Sequence, residues 1–152
     1  DLNTLTQGTN LTITNDKGAI TIASSDAFAQ TQANAAFAKA NAIHKSITVP
    51  SPLVTDNITF FFTDVALTFN KIVSVVRGSA TPNVVFLLSY ESSRHTGADR
   101  TNIVNNVTCA NTTNGVFTTT FANATVPANN YVTLTCSTVS GTVDELHVSM
   151  FG

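Results

Sequence analysis

The chain has 152 residues, 11 % of them charged, and a net charge of −2, a size for one domain with an extension or two very small domains. Its polarity comes from 26 Thr, 16 Asn and 12 Ser, and with ample Val, Ile and Phe this argues for strands rather than disorder. The composition offers no basic footprint for nucleic acid or a membrane surface and no apolar run near the roughly 20 residues of a membrane helix, and it disfavours most enzymes.

The sole methionine is Met150, so Asp1 is not a translation start, and the chain is expected to be a fragment or a processed product. Residues 1–24 read as a hairpin. Leu11-Thr-Ile-Thr alternates, Asn15-Asp-Lys-Gly turns, and Ala19-Ile-Thr-Ile-Ala alternates again. An isolated hairpin buries too little to stand alone, and another copy of the chain is an economical partner. Residues 25–43 hold no Gly or Pro and are dense in alanine, the strongest helix former, with Ser25 or Asp26 to cap the start. Ala29, Ala33, Ala36, Ala40 and Ile43 fall at heptad-like steps, and Phe28 and Phe37 are placed to pack on neighbours. Because a lone helix of this kind is weak in water, residues 1–46 are expected to be a self-bundling oligomerisation stalk. The alternative is a helix laid on its own sandwich.

Residues 47–152 read as all-β, entered through Pro50-Ser-Pro. Strand-like runs fall at 58–62, 66–69, 72–76, 84–90, 115–121, 131–136 and 143–151, with a weaker one at 103–109 and turn signals between them. Alternation in Tyr131-Val-Thr-Leu-Thr-Cys and Leu146-His-Val-Ser-Met-Phe predicts strands with one buried face. The unbroken apolar run Val84-Val-Phe-Leu-Leu predicts a strand that is central or covered on both faces. The expected fold is mainly β: a jelly-roll-like antiparallel β-sandwich head preceded by a β-hairpin and a short Ala-rich helix. Cys109 and Cys136 lie in Thr-rich apolar stretches and are expected as buried free thiols, with a disulfide left open. Neither has partners at metal-ligand spacing, and no metal or cofactor is expected. Five Asn-x-Ser/Thr sequons, at Asn10, Asn57, Asn106, Asn111 and Asn123, match what this composition gives by chance and say nothing of glycosylation.

Chemistry is sparse. His44 and Lys45 are read as cations at the end of the helix, and His147 as facing solvent or a neighbouring subunit from a strand. The one charge-dense segment is Glu91-Ser-Ser-Arg-His-Thr-Gly-Ala-Asp-Arg. A Ser93–His95–Asp99 triad within it lacks a strained nucleophile turn and converging rigid elements. Acid pairs for glycoside cleavage can be drawn from Glu91 with Asp99 or from Asp144 with Glu145, and the second is weakened because adjacent acids on a strand point to opposite faces. The expectation is a non-enzyme. Recognition is the better use of this loop: Arg94 and Arg100 offer forked donors, His95 and Asp99 lie between them, and Tyr90 is placed to stack a sugar ring. The competing reading is that these charges pair among themselves. A second polar loop, 102–114, is rich in Asn and Thr and reads as a surface turn cluster or as a source of hydrogen bonds to carbohydrate.

Gln7-Gly-Thr-Asn-Leu-Thr-Ile-Thr-Asn, with Gly18-Ala-Ile-Thr-Ile-Ala, resembles hairpin units of bacteriophage fibre proteins. Ala27-Phe-Ala-Gln-Thr-Gln-Ala-Asn-Ala-Ala-Phe-Ala-Lys-Ala-Asn is similar to the Ala-Phe-x-x-Ala-Asn pattern of marine phage tail fibres. Asn123-Ala-Thr-Val-Pro-Ala, Tyr131-Val-x-Leu and Ser140-Gly-Thr-Val-Asp-Glu-Leu-His-Val resemble a β-sandwich module of phage virion proteins. The resemblance implies a homotrimeric virion appendage, assembled in the bacterial host cytoplasm, whose head docks on a host surface glycan or receptor. It implies other virion proteins as partners and transfers no catalytic residue. Two alternatives remain: a capsid decoration or head-fibre protein anchored by its N-terminal segment, and a carbohydrate-binding module or glycan depolymerase.

Overall fold

The computed structural model describes residues 11–16, 19–24, 31–36, 42–94 and 96–152. The chain divides into two compact units, Asp1–Ala42 and Ile43–Gly152. The first contains the expected hairpin. Strands β1 (Leu11–Asp16) and β2 (Ala19–Ser24) pair antiparallel, with Leu11 opposite Ser24 and Asp16 opposite Ala19. Residues 31–36 form the helical segment α1, and all six are exposed, Ala33 and Ala36 among them. Phe28, Ala29, Phe37 and Ala40 of the expected stripe lie outside the described residues.

The helix does not reach Ile43, a correction to the reading of 25–43. Ile43 N–H donates to Gly152 O at 2.9 Å, and Gly152 N–H returns to Ile43 O at 3.1 Å. Its half-buried side chain packs against the core of the second unit. The expected boundary between 46 and 47 therefore falls inside a strand, β3 (His44–Pro50). His44 and Lys45 are strand residues rather than helix-end cations. His44 stacks on Phe151 at 4.6 Å, and the Lys45 ammonium lies 5.6 Å from the Phe61 ring. Pairing with the far end of the chain, Phe151 opposite His44 and Met150 opposite Lys45, supplies what local sequence does not.

The second unit holds β3 and nine more strands: β4 (Asn57–Thr63), β5 (Leu67–Thr68), β6 (Lys71–Gly78), β7 (Asn83–Glu91), β8 (Thr101–Cys109), β9 (Val116–Thr118), β10 (Thr125–Val126), β11 (Asn130–Ser140) and β12 (Val143–Phe151). Eight of them make two four-stranded sheets, in the orders β4-β11-β7-β8 and β3-β12-β6-β9. Every pairing within these sheets is antiparallel. β5 and β10 pair separately. Side chains alternate across each strand, so Ile72 and Val76 of β6, Phe86 and Leu88 of β7, Leu134 of β11 and Leu146 and Val148 of β12 are fully buried in one shared core. Full burial of such a side chain contributes roughly 1.5–3 kcal/mol. The run from Val84 to Leu88 is central as expected, between β11 and β8. Cys109 and Cys136 are free and buried in that core.

Candidate binding loop on the outer face of the β4-β11-β7-β8 sheet

β7 points Val84, Phe86 and Leu88 into the core, so alternation turns Ser89 and Glu91 to the outer face of its sheet. Both are nevertheless fully buried. Register places Thr59 of β4, Thr133 of β11 and Ser89 of β7 in one row across this face. Ser89 and Thr133 share a hydrogen bond at 2.9 Å between their hydroxyls. The charge-dense segment 92–100 leaves β7 beside this row, and Arg94 Nε donates to Thr59 Oγ1 at 2.7 Å. The loop thus reaches over the strand that separates β7 from β4.

Glu91 holds the loop together. Its Oε2 accepts from Gly97 N–H at 3.0 Å, and its Oε1 lies 3.5 Å from Arg100 Nη2. A carboxylate wholly out of water requires such partners. Gly97 turns there with φ 67, in the left-handed region. Asp99 Oδ2 accepts from Ser92 N–H at 2.9 Å. Hydrogen bonds from the Ser92 side chain and backbone hold the Asp99 carboxyl below its usual range. A turn from Ser93 to Thr96 completes the loop, with Thr96 Oγ1 donating to Ser93 O at 3.2 Å.

The predicted recognition residues are therefore partly separated. Arg94, Asp99 and Arg100 come together in one loop, but Arg100 and Asp99 are committed to Glu91 and Ser92. Tyr90 points the other way and is half-buried against the core. His95 lies outside the described residues. Among the acids, Glu91 is buried while Asp99 is exposed, and Glu145 pairs with Arg77 at 3.3 Å. His147 is half-buried, between Thr48 Oγ1 at 2.9 Å and Ser149 Oγ at 3.0 Å.

An aromatic pair on this face was not anticipated. Phe62, Tyr131 and Glu91 share the row beside Thr59, Thr133 and Ser89. Phe62 and Tyr131 have ring centroids 4.9 Å apart, and Phe62 is 48 % exposed. Only the cross-strand register brings these residues to the loop, so no local signal marks them. The exposed Arg94 and the adjoining rings together offer donors and an apolar surface to a polar ligand. Among the described residues, no cluster of three or more His, Cys, Asp or Glu is arranged to hold a metal ion. No protein-family model, curated protein or solved structure matches this chain.

Proposed function

We propose that this chain is a non-enzymatic structural protein of a bacteriophage virion, the tip of a trimeric tail fibre whose head contacts the host cell surface. The strand order of Ile43–Gly152 carries the reading. Eight strands in two antiparallel sheets, with six of the seven connections passing from one sheet to the other, fit an eight-stranded jelly roll, an architecture that recurs in viral capsid and lectin domains. Fold by itself does not assign function, so two further observations matter. The N-terminal segments resemble phage fibre shafts, and the six described residues of α1 are all exposed. A short alanine helix gains stability only by packing, and neighbouring copies of the same chain provide that packing. Three heads on one stalk then dock with avidity that exceeds each single contact.

A capsid decoration protein would use the same two parts, anchored by Asp1–Ala42. Immunogold labelling of intact virions with an antibody to the chain separates the two. Label at fibre ends is the expected result, label spread over the capsid favours decoration, and unlabelled virions contradict both.

A further inference from the structure

β8 and β9 are the outermost strands of their respective sheets, and between them lies an open groove of about 470 Å³. Small-molecule sites run from about 300 to 1,000 Å³. The groove carries no charged side chain. Its floor includes Val107, which is buried, and Phe121, which is half-buried; Asn106, Thr108, Thr118 and Thr120 supply polar atoms along its wall.

Those four polar side chains are unspent. Among the described residues, none of them forms a side-chain hydrogen bond with the protein. Neighbouring asparagines are consumed by structure: Asn102 Nδ2 donates to Asn105 Oδ1 at 2.6 Å, Asn123 Nδ2 to Asn102 O at 2.9 Å, and Asn111 Oδ1 caps its own turn. Asn106 also sits in a β-bulge. Phe86 pairs with Val107 and Leu88 with Val104, so two residues of β8 oppose Leu87 alone. Asn106 has φ 44, an uncommon backbone for a non-glycine residue. Bulges re-aim side chains and gather beside functional sites.

We infer that this groove binds an uncharged, hydroxyl-rich ligand, a neutral saccharide. An amide and a set of hydroxyls both donate and accept, which suits adjacent sugar hydroxyls, and the Phe121 ring suits the apolar face of a pyranose. A carboxylate or sulfate would lose its hydration here with no cation to replace it. Most of the groove is built on β8 and β9, which fixes its geometry before the ligand arrives, and the segment after β9 adds Thr120 and Phe121. The inference deepens the host-surface reading and rests on it for biological meaning, although saccharide binding is measurable by itself.

The test is titration of the ¹⁵N-labelled full chain with malto-, manno- and N-acetylglucosamine oligomers, with polygalacturonate as the anionic control. Amide resonances of Asn106, Thr108 and Thr118 are expected to shift with at least one neutral oligomer and not with polygalacturonate. The double substitution Thr108→Val/Thr118→Val keeps the β-branched shape, and Asn106→Gly keeps the left-handed backbone. Each is expected to weaken binding about tenfold while preserving the native spectrum. The inference falls if no neutral oligomer moves these resonances, if polygalacturonate moves them equally, or if natively folded variants bind as the parent does. Shifts confined to the Arg94 loop overturn the groove and leave host attachment standing. Saccharide binding in the groove of a chain that labels no virion keeps the site and removes the fibre reading.

Discussion

Glu91 ends its strand on the side away from the core, yet it is the most consequential charged residue in the head. The carboxylate is fully buried and satisfied by Gly97 N–H and Arg100, so removing it releases the turn at Gly97 and leaves Arg100 without its counter-charge. Glu91→Ala is expected to lower unfolding free energy by about 3–5 kcal/mol, and Glu91→Gln/Arg100→Met to recover part of that, because replacing both partners removes the unpaired charge. Urea unfolding of the three proteins measures this. Asp99 behaves differently because it is exposed. Its folded pKa is depressed by Ser92, so its contribution is present above the usual carboxylate pKa and disappears as pH falls through the folded value. Asp99→Asn should therefore be less stable than the parent near neutral pH and indistinguishable from it in strong acid. The thiols titrate in the opposite sense. Burial, with Asp56 nearby, pushes Cys136 up to about 11 from 9.0. Stability that depends on the neutral thiol is complete below pH 9.0 and lost as pH rises toward about 11. Burial also raises Cys109. At neutral pH a thiol reagent is expected to label neither cysteine until the protein unfolds.

The strands most legible in the sequence were those with a local signature. The unbroken run of Val84 to Leu88 predicts a central strand, and β7 is one. The alternation of Tyr131 to Cys136 marks β11 as a strand, but its outward Thr133 is buried along with Val132 and Leu134, so the expected single buried face does not hold. The first strand of the head carried no such signature. His44-Lys45-Ser46 follows an alanine-rich segment, and its strand state comes from β12, about a hundred residues away in sequence. The candidate site was legible only in part for the same reason. The charge cluster marked the loop, and the alternative that its charges pair with one another describes Glu91 and Arg100. Tyr90 was on the wrong side because strand alternation turns it to the core, whereas Phe62 and Tyr131 reach the loop through register alone. The turn from β11 to β12 tests how tightly such connections are specified. Gly141 has φ 72, and a Cβ there would overlap the carbonyl oxygens of Ala80 and Thr81. Gly141→Ala is expected to cost about 1–3 kcal/mol from strain, with further loss as the hydrogen bond from Ser79 N–H to Thr142 O, 3.1 Å long, opens. A lowered thermal midpoint with an unchanged far-ultraviolet spectrum is the expected readout.

At the scale of the whole molecule, the two units have unequal means of stability. Ile43–Gly152 has a shared core of fully buried side chains from both sheets. Asp1–Ala42 has a two-stranded hairpin and an exposed helical segment, elements that are marginal by themselves. The proposal of a trimeric fibre tip assigns association to Asp1–Ala42 and surface contact to Ile43–Gly152. Light-scattering mass in solution tests that division most directly, on the full chain and on a chain beginning at Ala42. A trimeric fibre tip gives the mass of three chains for the full protein and of one folded chain for the shortened one. A full chain with the mass of a single copy would contradict it.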